Sequence, residues 1–368
     1  MGVGIIPVRQ NDENFLKARI ETMRNTLKKY AGILYIAGMA VVILVVLRCT
    51  NELAQVYEAM QSLNSVWLGA CAGCIVAYLL LRMGTLRYYL WRNGVRLSWL
   101  DAAGVTGAGQ LYSAITPSSS GGQPMQVFWL HRRGVPVSLG TACVSVKFMG
   151  FQTAFLLLGG VLWLSNWQMV TDQLYGFRWL VLLGCLINLA LIAGVALTIP
   201  RFGAVERLIQ RLIRLAAKIH LVKHPDAACA RAFEAVSDYR QALQSLLRSP
   251  LDAAVIFLLS MLQVLAYMGV SLCLYRAFGL SGTPDVQILT LQLLLFIAAA
   301  FVPLPGAAGA QETGFCLFFR NVFPSDQLIA AMLCWRFFSY YALMILGLIL
   351  MALSGMRKPS GREGDFDR

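Results

Sequence analysis

Pro117-Ser-Ser-Ser-Gly-Gly-Gln-Pro124 and Pro305-Gly-Ala-Ala-Gly-Ala-Gln-Glu312 set turn-forming residues in the middle of sequence apolar enough for a lipid bilayer. The two stretches align with each other. At a constant offset of 188 residues Pro117 matches Pro305, Gly121 matches Gly309 and Gln123 matches Gln311, and further on Arg132 matches Arg320 and Pro136 matches Pro324. Irregular backbone at bilayer depth survives only where protein or a watery cavity satisfies its N–H and C=O groups. Gly/Pro-interrupted segments at corresponding places in two halves of a chain point to a transport site. The reading is therefore an internal repeat with one broken segment in each half.

Composition sets the solvent. The chain is 58% hydrophobic and 13% charged, against roughly 25% charged residues in a soluble domain. Six segments have the apolar length to cross a ~30 Å hydrocarbon core alone: 31–47, 66–81, 138–164, 179–199, 251–274 and 329–351. Two more, 97–115 and 286–302, run straight into the Pro/Gly stretches. They read as first arms of re-entrant hairpins, with 125–130 and 313–323 as short return arms. Two further full crossings per motif is the competing arrangement, and it preserves the same parity. The expected fold is an all-α integral membrane protein of about six full transmembrane helices and two re-entrant helical hairpins. Its eight hydrophobic segments form an inverted repeat, with half-repeats at about 66–164 and 251–354.

The formal net charge of +13 is unevenly placed. Lys and Arg gather in residues 1–30, 82–96, 201–248 and after 355, while the connections 51–65 (inside its ends), 165–177 and 281–285 are free of them. The positive-inside rule then puts both termini and the basic segment 200–250 in the cytoplasm of a bacterial cell. Residues 12–28 read as an amphipathic interfacial helix, and 205–218 repeats that design with Arg207, Arg211, Arg214 and Lys218 on one face. No secretory signal is read at the N-terminus. The tail 355–368 is read as cytoplasmic. The basic residues flank membrane segments and carry no nucleic-acid motif, so nucleic acid is not an expected partner. Three scattered histidines lack ligand spacing, and Cys71-Ala-Gly-Cys74 sits within apolar sequence. No metal and no cofactor is expected.

Ionisable side chains in apolar segments are expensive and point to function. Lys147 lies in the helix after the first break, 26 residues past Gly121; Arg336 lies in the helix after the second, 27 residues past Gly309. Glu312 closes the second motif. Either they form a structural ion pair or hydrogen bonds to loop carbonyls, or the two cations attract a lipid phosphate while Glu312 balances them or reads a cationic headgroup. Gln123 and Gln311 would sit where the return arms begin. Pro117, Gly121, Gly122 and Pro124 in the first loop, and Pro305, Gly306 and Gly309 in the second, would give the backbone its reversal and close approach. No catalytic group is assigned.

Thr116-Pro-Ser-Ser-Ser-Gly-Gly-Gln-Pro-Met-Gln126, Leu304-Pro-Gly-Ala-Ala-Gly-Ala-Gln-Glu312 and Trp335-Arg-Phe-Phe-Ser-Tyr-Tyr341 resemble signatures of the flippase-like membrane domain of lysylphosphatidylglycerol synthases. The resemblance covers about residues 30–351. It implies that Gly121, Glu312 and Arg336 are site residues; Lys147 rests on the residue reading alone. The full-length synthases carry aminoacyl transfer in a soluble domain after the membrane region, and the short tail here leads us to expect the stand-alone form. The expectation is a translocator of phospholipid, aminoacyl-phospholipid or polyprenyl-linked lipid. Its expected partners are membrane lipids, anionic or aminoacylated, and a separately encoded synthase. A membrane component of lipid aminoacylation or glycosyl transfer, or a scaffold for a synthase, is the alternative.

Overall fold

The computed structural model describes residues 53–173, 178–196, 249–299 and 304–356, with isolated positions elsewhere. The expected amphipathic N-terminal helix, the crossing at 31–47, most of the basic segment 200–250 and the tail from 357 lie outside the described residues. The described residues form helices and no strand. They are α1 (Leu53–Gln61), α2 (Ser65–Arg92), α3 (Trp99–Ile115), α4 (Gly122–His131), α5 (Val137–Ser165), α6 (Trp167–Gln173) and α7 (Arg178–Ala196). After the basic segment come α8 (Pro250–Ala277), α9 (Asp285–Ala299), α10 (Ala310–Phe319), α11 (Ser325–Arg336), a π-helical stretch (Phe337–Ala342) and α12 (Leu343–Gly355). α1 and α6 occupy connections that the sequence reading left without structure.

Among the described residues four helices are long and apolar enough to span a bilayer: α2, α5, α8 and the continuous Ser325–Gly355. The starts of α2, α3 and α8 follow local chemistry. Asn64, Ser98 and Ser249 each accept a backbone N–H from the first turn of the helix that follows, which satisfies one of the donors orphaned at a helix start. Asp101 and Asp252 add negative charge in those first turns. The outward faces are apolar: Leu80, Leu157, Val161, Leu186, Leu258, Leu262, Leu348 and Leu353 are all well exposed. Inside, polar side chains pair with each other, Gln263 with Thr85, Gln152 with Asn188, Ser271 with Gln292. Lipid is as apolar as leucine, so polar pairs and close packing hold such helices together.

The repeat is written in the helix boundaries. α4 and α10 both have 10 residues, and their starts and ends differ by the same 188 that aligns the motifs. Their N-caps are Gly121 and Gly309 and their C-caps Arg132 and Arg320; Pro136 and Pro324 are the N-caps of the next helices, in the same extended conformation. α2 and α8 both have 28 residues, at an offset of 185. The turns after them repeat too: Gly94 (φ 80°) and Gly279 (φ 73°) close equivalent loops.

Equivalent helices run in opposite directions. Along α2 and α8, Asn64 meets Ala277, Tyr78 meets Tyr267, Thr85 meets Gln263 and Tyr88 meets Asp252. The outer pairs repeat as well. Gly107 of α3 packs on Gly347, and Leu293 of α9 packs on Gly159, which aligns with Gly347 at offset 188. Among the described residues the matching helices α2 and α8 therefore pack antiparallel.

Candidate functional site

Each half places its break between an arm and a shorter return helix packed back on it. A Cβ on Gly109 would meet the Gln126 amide, and one on Gly122 would meet Ser113, so α3 and α4 lie antiparallel against each other. Gly314 of α10 faces Leu295 of α9 in the same way.

The two turns share one conformation. Ser119 donates to the Thr116 carbonyl (3.1 Å) and Ser120 to that of Pro117 (3.1 Å). At the equivalent positions Ala307 donates to Leu304 (3.0 Å) and Ala308 to Pro305 (3.3 Å). The left-handed residues match as well: Ser118 (φ 49°) with Gly306 (φ 60°), and Ser119 (φ 55°) with Ala307 (φ 48°). The turns then touch, because an antiparallel β-bridge pairs Pro117 with Pro305. Proline has no N–H, so the pairing is carried by backbone groups of the flanking residues.

This geometry corrects the role given to two glycines. Gly121 has an ordinary helical φ of −78° and caps α4, while Gly122 is the first residue of that helix. The first reversal is made by Ser118 and Ser119. Gly121 and Gly122 are needed for space, since their Cβ atoms would meet Thr116 Cγ2 at 2.7 Å and Ser113 Oγ at 1.9 Å. Gly306 and Gly309 do supply left-handed backbone, at φ 60° and 85°. Pro124 is an exposed residue in the first turn of α4, where a missing N–H is harmless.

The second break carries the charge. Glu312 is the third residue of α10, where its Oε2 accepts the Gly309 N–H at 2.7 Å. Its Oε1 lies 2.8 Å from Arg336 Nε. Arg336 Nη2 donates to the Gly306 carbonyl at 2.8 Å, and the guanidinium sits 4.2 Å over the Tyr340 ring. The Nε contact is ionic by distance without the alignment of a hydrogen bond. Arg336 is 5% exposed and Glu312 8% exposed. A buried pair of this kind is sustained only when further hydrogen bonds satisfy both partners, and the backbone of the break provides them. Tyr340 extends the network across the molecule, donating its hydroxyl to the Ala114 carbonyl of α3 at 2.9 Å.

Lys147 stands apart from this cluster. Its Nζ donates to Gln126 Oε1 at 3.1 Å. Gln126 was not singled out in the sequence, although it ends the first motif one turn past Gly122. Gln123 is exposed, whereas Gln311 is buried with its Oε1 lacking a hydrogen-bond partner among the described residues. The structure thus joins Glu312, Arg336, Gly306, Gly309 and Tyr340, and sets Lys147 with Gln126 beside the first break. Among the described residues no group of His, Cys, Asp and Glu has metal-binding geometry.

The family defined as the lysylphosphatidylglycerol synthase TM region matches residues 33–347, spanning both breaks and both charged centres. The chain belongs to this family. The chain is also similar to a UPF0104 membrane protein of Archaeoglobus fulgidus. It is 25% identical over 292 residues, covering 75% of this chain and 84% of the relative. No solved structure matches the chain. Membership in the lysylphosphatidylglycerol synthase TM family, with four helices able to span, makes this a multi-pass membrane protein.

Proposed function

We propose that the protein is a lipid translocator, moving a phospholipid, aminoacyl-phospholipid or polyprenyl-linked lipid between leaflets past its two broken segments. The observation that supports this most is the meeting of two equivalent, oppositely running breaks at Pro117 and Pro305, beside a buried ion pair. In this reading both hairpins are re-entrant. α4 and α10 are each about 15 Å long by helical rise, half of a ~30 Å hydrocarbon core, so neither crosses alone. The α3–α4 hairpin enters from the cytoplasmic side of a bacterial cell membrane, and α9–α10 enters from the outer side. An inverted repeat of this design presents its site to each leaflet in turn. The cargo is an anionic or aminoacylated lipid, and a separately encoded synthase is a fitting source of it.

An embedded transferase would need a free nucleophile or acid–base pair at the break. Glu312 is committed to the Gly309 N–H and to Arg336, which favours translocation over catalysis. Reconstitution into liposomes with several headgroup-labelled lipids tests the proposal, with transfer between leaflets as the readout. Transfer no faster than in protein-free liposomes for every lipid would remove it. Cysteine labelling tests the topology: positions 93–96, just past the end of α2, and 132–135 should react from the cytoplasmic side, and 281–285 and 321–325 from outside. Reaction of 93–96 and 132–135 from opposite sides would rule out the first re-entrant hairpin.

A further inference from the structure

The first half holds a second charged centre, which the Glu312–Arg336 pair does not touch. α2 and α5 run antiparallel, with the Cys143 thiol on the Leu86 carbonyl at 3.9 Å. One turn further along each helix, Arg82 and Lys147 come to the same level of the α2–α5 contact. They lie at one depth, each about 15 Å from the end of its helix on the same side of the molecule. Neither has a carboxylate partner among the described residues. Among those residues Lys147 donates to Gln126 Oε1, and Arg82 donates from Nη1 to the Tyr78 hydroxyl at 2.9 Å, its guanidinium 5.3 Å from the Tyr78 ring centre. Arg82 Nε is buried with no hydrogen-bond partner.

Lys147 is buried and Arg82 half-buried; cations withdrawn from water without counter-charge are costly, and the fold does not need these. At the equivalent positions of the second half stand Tyr267, against the rings of Tyr78 and Phe296, and Trp335, stacked on Phe315. Uncharged rings fill there the positions that two cations take here. The difference points to a ligand.

We propose that Arg82 and Lys147 form an anion site for a dianionic phosphate group, a phosphomonoester or diphosphate, with Gln126 and Tyr78 as its neutral neighbours. A phosphodiester brings one negative charge and leaves one cation unbalanced; a monoester or diphosphate brings close to two. Arg82 offers a planar fork for two phosphate oxygens and Lys147 a point charge. The source is a lipid headgroup or the free ion, and only the lipid source rests on the translocator reading.

The test uses the purified full chain in detergent. Binding is measured by native mass spectrometry and thermal shift, with phosphatidic acid, a polyprenyl diphosphate, phosphatidylglycerol and inorganic pyrophosphate. The two dianionic lipids should bind about tenfold or more tighter than phosphatidylglycerol. Arg82→Met and Lys147→Met should each weaken them by about tenfold or more, the effect of losing one charge-assisted contact. Neither change should lower the unfolding midpoint of the unliganded protein. Pyrophosphate binding with the same sensitivity assigns the site to free ions as well; sensitivity for lipids alone assigns it to headgroups. Unchanged lipid affinity in both variants overturns the site, and so does a lowered midpoint in both, which would make the cations structural. Liposome transfer is read in parallel. Wild-type transfer with unchanged lipid binding in the variants removes the site and keeps the translocator. Variant-sensitive binding without any wild-type transfer keeps the site and removes the translocator.

Discussion

The two breaks share the backbone of their tight turns, part at Gly121 and Gly309, and are held by two chemistries. In the first, Pro117 to Ser120 are exposed, and the turn is held by short side chains. Thr116 Oγ1 donates to the Tyr112 carbonyl at 2.5 Å and accepts the Gly121 N–H at 2.9 Å. In the second, Pro305 and Ala308 are buried, and the cap comes from Glu312, which Arg336 holds in turn. A hydroxyl does locally in the exposed turn what a charge pair does in the covered one. The same loop shape is therefore easy to mutate in one half and hard in the other.

The largest effect should follow from breaking the second cap. Glu312→Ala or Arg336→Ala leaves a buried charge without its partner, which costs on the order of 3–5 kcal/mol. Each variant should insert in the membrane, unfold at a lower temperature and lose lipid transfer. A variant as stable as wild type would show that the pair does not hold the turn. Arg336→Lys should recover only part of the function, because one ammonium cannot reach both the Glu312 carboxylate and the Gly306 carbonyl as the fork does. Exchanging the two residues should fail as well, since a carboxylate at 336 has no hydrogen to give the Gly306 carbonyl.

Next comes Gly306→Ala. The new Cβ would lie 2.2 Å from the Tyr340 ring on a backbone at φ 60°. Left-handed strain and overpacking together should cost roughly 2–4 kcal/mol, read as a lower thermal midpoint. Gly309→Ala meets open space at φ 85°, so strain alone should cost about 1–2 kcal/mol. Equal losses at the two glycines would mean that Tyr340 moves aside freely.

In the first break Gly121→Ala meets the Thr116 side chain, its methyl tightest at 2.7 Å and its Oγ1 at 3.0 Å. It should cost about 1–3 kcal/mol, and Thr116→Ser in the same chain should recover most of that. Failure of the rescue would place the constraint elsewhere. The smallest effect belongs to Ser118→Gly, where relief of left-handed strain offsets the added freedom of the unfolded chain. Its midpoint should move by the equivalent of about 0.5 kcal/mol or less.

The repeat was legible because its signals are ones that side chains write plainly. Pro117, Pro136, Pro305 and Pro324 fix turns and helix starts, so an offset found in letters reappears in helix boundaries. The comparison of Lys147 with Arg336 fails for a geometric reason. Lys147 aligns with Trp335, and one residue is about 100° of helix rotation, enough to point the two cations at different neighbours. Gln126 was hidden because glutamine on a short arm gives no periodic signal, whereas its partner on α5 did stand out as a charge in apolar sequence. The left-handed turn at Ser118 and Ser119 was masked by the adjacent Gly121-Gly122, which look like the hinge. The π-helical stretch Phe337–Ala342 has no composition cue. It aims Tyr340 at both the Arg336 guanidinium and the Ala114 carbonyl.

The Pro117–Pro305 bridge has a fixed length. A β-pairing normally invites its neighbours to join, but Ser118 and Ser119 on one side and Gly306 and Ala307 on the other turn left-handed at once, so the ladder ends where it begins. The seam between the halves can close in register and cannot grow. Parting it strips neighbouring backbone groups of their partners in apolar surroundings, where each orphan is expensive unless something polar replaces it. Wetting and parting are then a single event: a gap lasts only while water or a polar guest occupies it, and its departure is enough to pull the seam shut.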